Sequence, residues 1–518
     1  MQKNKKVKTI KKERNFLESL VDVYLSLVFF GLPLIVTNGY YNITETKSNF
    51  FFAVSIMLIS FFVLYIVFAC FSKKAKDFLK RYTDKEISFI DISFIIFGGF
   101  ILVSAVISEY TVDSWLGNSS RYQGAVTILV YIIMYFVVSR YYGNSQMFLI
   151  FAVLAFSIVC ILGVLNCFDI EVLWFYNELP DNYKSAYVST IGNINFYSSY
   201  ICLIFPLVIC GFCQTKEKLS VIVYSFALIV GAFGMMVTSS ESFVVGFVVS
   251  MLLIPLFLTS DKEKLKKFLQ SIVIIVVSTQ IFKMMYSAAA EKNLEISKLL
   301  SILIKPYVAF IFLIICITVY FILEKNNIAI AVMRKGYITL LIVALISVGI
   351  AFALSNTVGL GGLDSYFRIT DGWGTNRGLI WKQCLEAYSD FSFSEKLFGI
   401  GPESLYHIVE TGDIFEGRSI DQAHNEYLQY LITTGAFGLL SYLSVIASVI
   451  FVVIKNLRTN TLAVGVFAAL VSYWMQASVN IAQPFTTPIM YLYIAIIGGI
   501  YFLQRNNEEN ILKYSSEE

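Results

Sequence analysis

Phe50–Phe71 reads FFFAVSIMLISFFVLYIVFACF, an unbroken apolar run with no charged residue. As a helix it spans about 33 Å, enough to cross a hydrocarbon core of about 30 Å. Ser72-Lys73-Lys74-Ala75-Lys76 follows it directly. Similar runs recur along the chain near 17–37, 88–108, 124–142, 146–166, 196–213, 219–238, 242–259, 268–287, 299–323, 336–355, 427–454, 461–480 and 485–503. With 57% hydrophobic and 14% charged residues and a mean hydropathy of +0.71, there is too little polar surface to cover a water-soluble domain. The runs are rich in Leu, Ile, Phe and Val and lack strand-like alternation, which predicts helices and not a barrel. The expected fold is an all-α polytopic membrane protein with about 14 transmembrane helices.

The small net charge of +3 gives no reason to expect a nucleic-acid partner; its distribution is informative. With the amino terminus in the cytoplasm, the segments on that side are 1–15, 73–86, 140–145, 214–218, 260–267, 324–335, 455–460 and the tail from 504. They hold about 27 of the 39 Lys and Arg residues, as the positive-inside rule requires. Both termini are then cytoplasmic, and the one long loop, between spans 11 and 12, faces outward. The expected organisation is a basic tail at 1–16, membrane spans at 17–355, an extracytoplasmic loop at 356–426, further spans at 427–503 and an unstructured polar tail at 504–518. The first apolar run is too long for a cleaved signal peptide and lacks a small-residue cleavage site, so it reads as a signal-anchor. The eight cysteines imply no disulfide framework. Cys210-Gly211-Phe212-Cys213 ends a span with no second pair nearby, so it reads as apolar filling.

The outward loops are where chemistry is expected. Both histidines of the chain, His407 and His424, lie in the long loop. Arg377 opens a segment to Tyr388 that is spaced like an amphipathic helix and carries Trp381. Arg418 and Asp421 precede Ala423-His424-Asn425-Glu426. There Asn425 suits an N-cap, which puts His424 at the mouth of the next helix. Leu397-Phe398-Gly399-Ile400-Gly401-Pro402 is a turn whose glycines permit close backbone approach, and Gly435 and Gly438 suit close helix packing. Arginine matches phosphate oxygens with a planar fork of donors. A neutral histidine can take a proton from a sugar hydroxyl. Outside the cell there is no ATP, so a donor must arrive already carrying its leaving group. Tyr366, Phe367, Trp373, Trp381 and Tyr406 offer faces for sugar rings.

The shorter outer loops leave alternatives open. Arg121, in Asp113-Ser114-Trp115-Leu116-Gly117-Asn118-Ser119-Ser120-Arg121-Tyr122-Gln123-Gly124, is an interfacial anchor or an anion ligand, and Gln123 beside it can hydrogen-bond a substrate. Ile191-Gly192-Asn193-Ile194-Asn195 reads as a turn and cap. Glu241, in Ser239-Ser240-Glu241-Ser242, is a first-turn residue or a carboxylate facing a cavity. Lys283 and Lys305 either snorkel or point at an anionic headgroup.

Taken in order, these blocks resemble the O-antigen ligase and O-antigen polymerase family of bacterial membrane proteins. The matching pieces are Trp115-Leu116-Gly117 with Arg121-Tyr122-Gln123-Gly124, Gly192-Asn193-Ile194-Asn195, Thr238-Ser239-Ser240, Arg377-Gly378-x-x-Trp381, Leu397–Pro402, and His424-Asn425-x-x-Leu428 followed by Gly435-x-x-Gly438. They cover most of the chain from about 115 to 500, and the last three are the most specific.

The resemblance implies a glycosyltransferase of the bacterial plasma membrane, acting on undecaprenyl-diphosphate-linked saccharides with no cofactor and no metal. It implies a catalytic histidine, which falls on His424, and essential arginines, best matched by Arg377. Arg121, Arg418 and Lys305 are the remaining candidates for the donor diphosphate, while Glu241, Gln123, Asn425 and Trp381 are candidate acceptor or auxiliary residues. Many members carry Ser-Arg where this chain has Ser240-Glu241, so another cation must serve there or Glu241 must assist the acceptor. The bias toward Lys, Asn, Ile, Phe and Tyr suggests an AT-rich genome and favours polymerisation of capsular or exopolysaccharide repeats over ligation to a lipid core. Partners expected with it are membrane lipids and a chain-length regulator and flippase of the same pathway. A transporter is the alternative from another class, but the spans carry few charges at their centres.

Overall fold

The computed structural model describes residues 15–83, 86–117, 121–170, 172–259, 261–290, 292–325, 330–409 and 420–516. The apolar helices, in order, are α1 (Phe16–Leu34), α2 (Ile43–Phe71), α3 (Phe89–Ile107), α4 (Ala125–Tyr141), α5 (Met147–Cys167), α6 (Ile194–Gln214), α7 (Lys218–Val237), α8 (Glu241–Leu258), α9 (Lys262–Ala288), α10 (Pro306–Lys325) and α11 (Ile330–Thr357). A loop helix, α12 (Trp373–Asp390), separates them from α13 (Glu426–Val452), α14 (Thr461–Ala477) and α15 (Thr487–Ser516). Among the described residues, 12 helices are long and apolar enough to cross a membrane. Two more, α4 and α14, are apolar but only 17 residues each. Every apolar run read from the sequence falls on one of these helices, apart from the first residues of the run at 299–323. Among the described residues, the only strands are the two-residue pair Tyr187–Val188 and Gly192–Asn193.

Three boundaries differ from expectation, each for a local reason. α2 starts at Ile43 and swallows Lys47, whose Nζ donates to the carbonyls of Leu32 (2.8 Å), Pro33 (3.0 Å) and Ile35 (3.2 Å) at the end of α1. A buried cation is tolerated there because it satisfies carbonyls that a helix end leaves orphaned. The tenth run divides: a short helix, Lys298–Leu303, ends before Lys305, and Pro306 then opens α10, a position that needs no backbone N–H. The polar tail expected to be unstructured continues α15 to Ser516, since no proline or glycine interrupts it, and Arg505 pairs with Glu86 at 2.6 Å.

α6 is the centre, with 89% of its apolar window buried, whereas α11 is the rim at 6%. α6 packs on α7 and α14, α3 packs on α13, and α15 packs on α4. Toward the rim, α8, α9, α10 and α11 leave an apolar cleft of about 760 Å³, walled by residues such as Phe243, Phe247, Phe268 and Phe312.

The α3–α4 pair fixes the frame of the site. At one end Asp91 and Arg140 form an ion pair at 2.7 Å, with Tyr135 donating to Asp91 at 2.6 Å and the Phe502 ring 4.1 Å from the guanidinium. At the other end the described parts of the chain between the two helices, 108–117 and 121–124, pack against the long loop.

Candidate functional site

α12 is less regular than its span suggests. Gly374, Thr375 and Asn376 have φ of 61°, 62° and 66°, so the continuous helix begins at Arg377. Gly378 is obligatory because the Thr370 carbonyl occupies the place of a Cβ. Backbone bonds from Trp373 to Thr370 (2.9 Å) and from Leu379 to Asp371 (3.1 Å) pin this start. The amphipathic helix expected from Arg377 onward therefore forms. It buries Ile380 and Cys384 in a second small core with Ile400, Leu405, Ala423 and Ile432.

The turn at Leu397–Pro402 is clamped into a break in α13. Gly399 and Gly435 have φ of 75° and 70°, and a Cβ on either would strike the backbone of the other segment. The Gly401 N–H and the Ser104 hydroxyl both donate to the Thr433 carbonyl at 2.8 Å. Gly435 thus serves loop docking, while Gly438 makes room for the Thr434 side chain of its own helix. Ser108 donates to the Ile400 carbonyl at 2.5 Å, and Ser114 lies 2.7 Å from Ser108 and 3.0 Å from Ser404. These bonds join the 108–124 segment to the long loop.

His424 is held from both sides. Its own φ is 48°, an uncommon conformation for a side-chain-bearing residue. Just before it, the buried Ala423 donates its N–H to Gln429 Oε1 (2.9 Å), and its carbonyl accepts from Trp381 Nε1 (3.0 Å). Just after it, Asn425 caps α13 by accepting from the N–H groups of Tyr427 (3.0 Å) and Leu428 (3.1 Å), the role its position predicted. Trp381 is therefore a clamp on the histidine's backbone.

Electrostatics set the histidine's form. Burial, then the charges of Arg377 and Arg121, push the His424 imidazole down to about 4, against the opposing charge of Asp421. At neutral pH it is uncharged, with a ring nitrogen free to accept a proton. Arg377 is itself half-buried, and burial lowers its pKa from the usual arginine value. Among the described residues it has no ion-pair partner. Arg121 does have one, Asp421 at 2.9 Å, which draws the 108–124 segment to the His424 loop.

Gln123 is buried beneath Arg121, donating to the carbonyls of Arg121 and Tyr122 (3.3 Å each) and accepting from Tyr131 (3.2 Å). Glu241 begins α8 as an exposed first-turn residue, and Lys305 is exposed ahead of α10 with its Nζ 5.9 Å from the Tyr307 ring. Neither is among the charges that act on His424. Arg418 lies outside the described residues.

The second histidine is differently employed. His407 Nε2 lies 2.9 Å from Asp113, which also accepts from Tyr406 at 2.7 Å, and its ring stacks on Tyr110 at 4.0 Å. It ties the two outer segments together. Sequence reading had no means of finding Glu403, a buried carboxylate with φ of 59° whose two oxygens both lie 3.0 Å from Gln422 Nε2. Its environment is assembled wholly from tertiary contacts.

The site thus draws on a loop helix, the 108–124 segment and the start of α13, and the family comparison falls on that part of the chain. The O-antigen ligase family model matches residues 306–443. Those residues carry an O-antigen ligase domain. The match agrees with membership of the O-antigen ligase and polymerase family and supports a multi-pass membrane glycosyltransferase of that type, which implies lipid-linked saccharide substrates. It takes in α10, α11, Arg377, the glycine clamp and His424, and stops within α13. Arg121 and Gln123 fall before the O-antigen ligase domain, although they pack against it. No curated protein and no solved structure matches the chain.

Proposed function

We propose that this chain polymerises undecaprenyl-diphosphate-linked oligosaccharide repeats on the outer face of the bacterial plasma membrane, in capsule, exopolysaccharide or O-antigen-type synthesis. The observation that carries the reading is Arg377: a half-buried guanidinium without an ion-pair partner among the described residues, whose charge acts on a neutral histidine. An unpaired cation held in a partly desolvated place is costly unless an anion arrives to meet it.

In this mechanism Arg377 binds the donor diphosphate, and Arg121 joins it by exchanging its bond to Asp421. His424 takes the proton of the acceptor hydroxyl as the new oxygen–carbon bond forms at the anomeric carbon. The sugar–diphosphate bond breaks, and the arginines stabilise the charge that develops on the leaving group. No nucleotide, metal or cofactor enters these steps. The apolar cleft between α8 and α11 suits a polyprenyl chain, and the distribution of Lys and Arg along the sequence supports an Arg377 and His424 that face outside the cell.

Ligation to a different acceptor, a lipid core or a protein, uses the same groups. Reconstitution with purified lipid-linked repeats separates the readings. Polymerisation gives a ladder of lengthening products, ligation leaves single repeats until an acceptor is added, and a transporter moves unelongated lipid between leaflets. Transport without any new glycosidic bond sinks the enzymatic reading.

A further inference from the structure

At the Arg140 end of the molecule, away from His424, a cavity of about 900 Å³ lies between α5 and α7, with α6 and α14 behind it. Its place follows from how α5 and α7 pack. In their second halves they touch: a Cβ on Gly231 would stand 2.8 Å from the Phe156 ring, and one on Gly234 2.6 Å from the Cys160 sulfur. In their first halves they part around the cavity. Ile150 and Leu154 of α5 and Leu219, Val223 and Phe226 of α7 form an exposed apolar rim, while Val153, Leu207, Cys210 and Leu462 are buried at the back. Packed protein leaves few voids larger than a water, so a space of this size open to hydrocarbon takes up an apolar chain.

The mouth has a different character. Gln146 just before α5, Gln214 and Thr215 at the end of α6, and Thr461 at the start of α14 bring amides and hydroxyls to it. Two cations from α9 reach those same residues. Lys264 Nζ donates to the Thr461 hydroxyl at 2.8 Å, and Lys267 Nζ donates to the Thr215 carbonyl. Neither lysine lines the cavity; each is bonded to a residue that does. Lys216 and Lys218 are exposed on the turn between Thr215 and Leu219. Of the carboxylates near these lysines, Glu263 and Glu324 pair with Lys266, Asp261 lies 3.7 Å from Lys264, and Glu217 accepts from Ser220 at 3.1 Å. Lys216, Lys218 and Lys267 have no ion-pair partner among the described residues, so the mouth is left positive.

We propose that this cavity holds one anionic phospholipid, with an acyl chain between α5 and α7 and the headgroup phosphate at Gln214, Thr215 and Lys267. The inference does not depend on the reaction assigned to the opposite end. An apolar back requires hydrocarbon, and the mouth offers donors to phosphate oxygens. An ammonium has three donors, and the Thr215 carbonyl engages one of those on Lys267. The unneutralised lysines favour a headgroup with net negative charge over a zwitterionic one, the terms on which basic pockets between membrane helices bind lipid. An undecaprenyl diphosphate is the poorer match, since the arginines assigned to it lie at the other end of the helices. The distribution of Lys and Arg along the sequence supports the cytoplasmic leaflet as the source of the lipid.

Native mass spectrometry of the full-length protein in detergent tests this, by titration with phosphatidylglycerol and with phosphatidylcholine of matched chains. Wild type should retain one phosphatidylglycerol per chain, at least about 10-fold more tightly than phosphatidylcholine. Lys264→Ala combined with Lys267→Ala should weaken phosphatidylglycerol about 10- to 100-fold. Lys335→Ala, at the same end on α11 but away from the cavity, should leave it unchanged. Val223→Trp, on the exposed rim, fills the opening without removing a charge and should weaken both lipids, which keeps the proposal testable if the double variant fails to fold. Equal retention of the two lipids, unaltered retention in Val223→Trp, or an effect of Lys335→Ala as large as that of the double variant would each show an annular shell only and overturn the site. Displacement of the lipid by inorganic phosphate, or tighter retention of undecaprenyl phosphate than of phosphatidylglycerol, would overturn the choice of occupant.

Discussion

The two ends of the α3–α4 pair hold charges under opposite conditions. At one end Arg140 has a complete shell: Asp91 at 2.7 Å, Tyr135 on that same carboxylate, and an aromatic ring beside the guanidinium. At the other end, where the chain between the helices meets the long loop, Arg377 has no ion-pair partner among the described residues, Arg121 is paired only through a half-exposed Asp421, and His424 is held neutral in a strained conformation. Both ends bury arginines in an apolar molecule, so composition does not separate them. Saturation does. A completed pair is a structural fastening, whereas an arranged but incomplete set awaits a partner from outside the chain.

That contrast can be broken by substitution. His424→Ala should show the largest loss, about 10²- to 10⁴-fold in chain elongation, since it removes a general base. Melting should be little changed, and assays of repeat transfer beside thermal unfolding would show both. Because the imidazole is neutral above about pH 4, wild-type elongation at pH 5.5 should not decline on its account. Arg377→Ala should cost about 10²- to 10³-fold, the effect of deleting one donor to a developing charge. Arg377→Lys should recover only part of this, because an ammonium lacks the planar fork.

Arg140→Ala should invert the pattern. Removing one partner of a buried pair costs about 3–5 kcal/mol of stability, while turnover per folded molecule stays near wild type. Loss of turnover at unchanged stability would dissolve the distinction between the two ends.

The smallest effect sits at Glu403. A carboxyl raised to about 7 in the folded state, above its unfolded value, favours folding in acid, and that advantage is lost as pH rises toward 7. Glu403→Gln should therefore melt higher than wild type at pH 8 and show little gain at pH 5. Equal shifts at both pH values would contradict the buried ionisation.

Much of this was legible in the sequence, for reasons that mark where legibility ends. Apolar runs of membrane length without strand-like alternation dictate helices, because only helices and closed barrels satisfy their backbone hydrogen bonds in lipid. Asn425 as N-cap, Arg377 at a helix start and Gly399 in a close approach each follow from local chemistry and were read correctly. The second run was started at 50 and not at 43, because what lets Lys47 sit inside α2 is a set of three carbonyls at the end of another helix. Gly435 was taken for a helix-packing residue and is instead a break that receives the Leu397–Phe398 backbone. Arg121 came into the group through Asp421, some 300 positions later in the chain. Glu241 and Lys305 carried equal promise by charge alone, yet neither acts on His424. Spacing along one segment reports which side chains share a helix; which segments share a cavity depends on packing that no single stretch encodes.

The reservation of Arg377 for an external anion is tested most directly by binding undecaprenyl diphosphate, with no sugar attached, to the purified protein in detergent. One charge-assisted contact contributes about 1.5–3 kcal/mol. The account thus predicts that Arg377→Ala binds about 10- to 100-fold more weakly than wild type, while Arg140→Ala binds as the wild type does. Equal affinity in wild type and Arg377→Ala would contradict it.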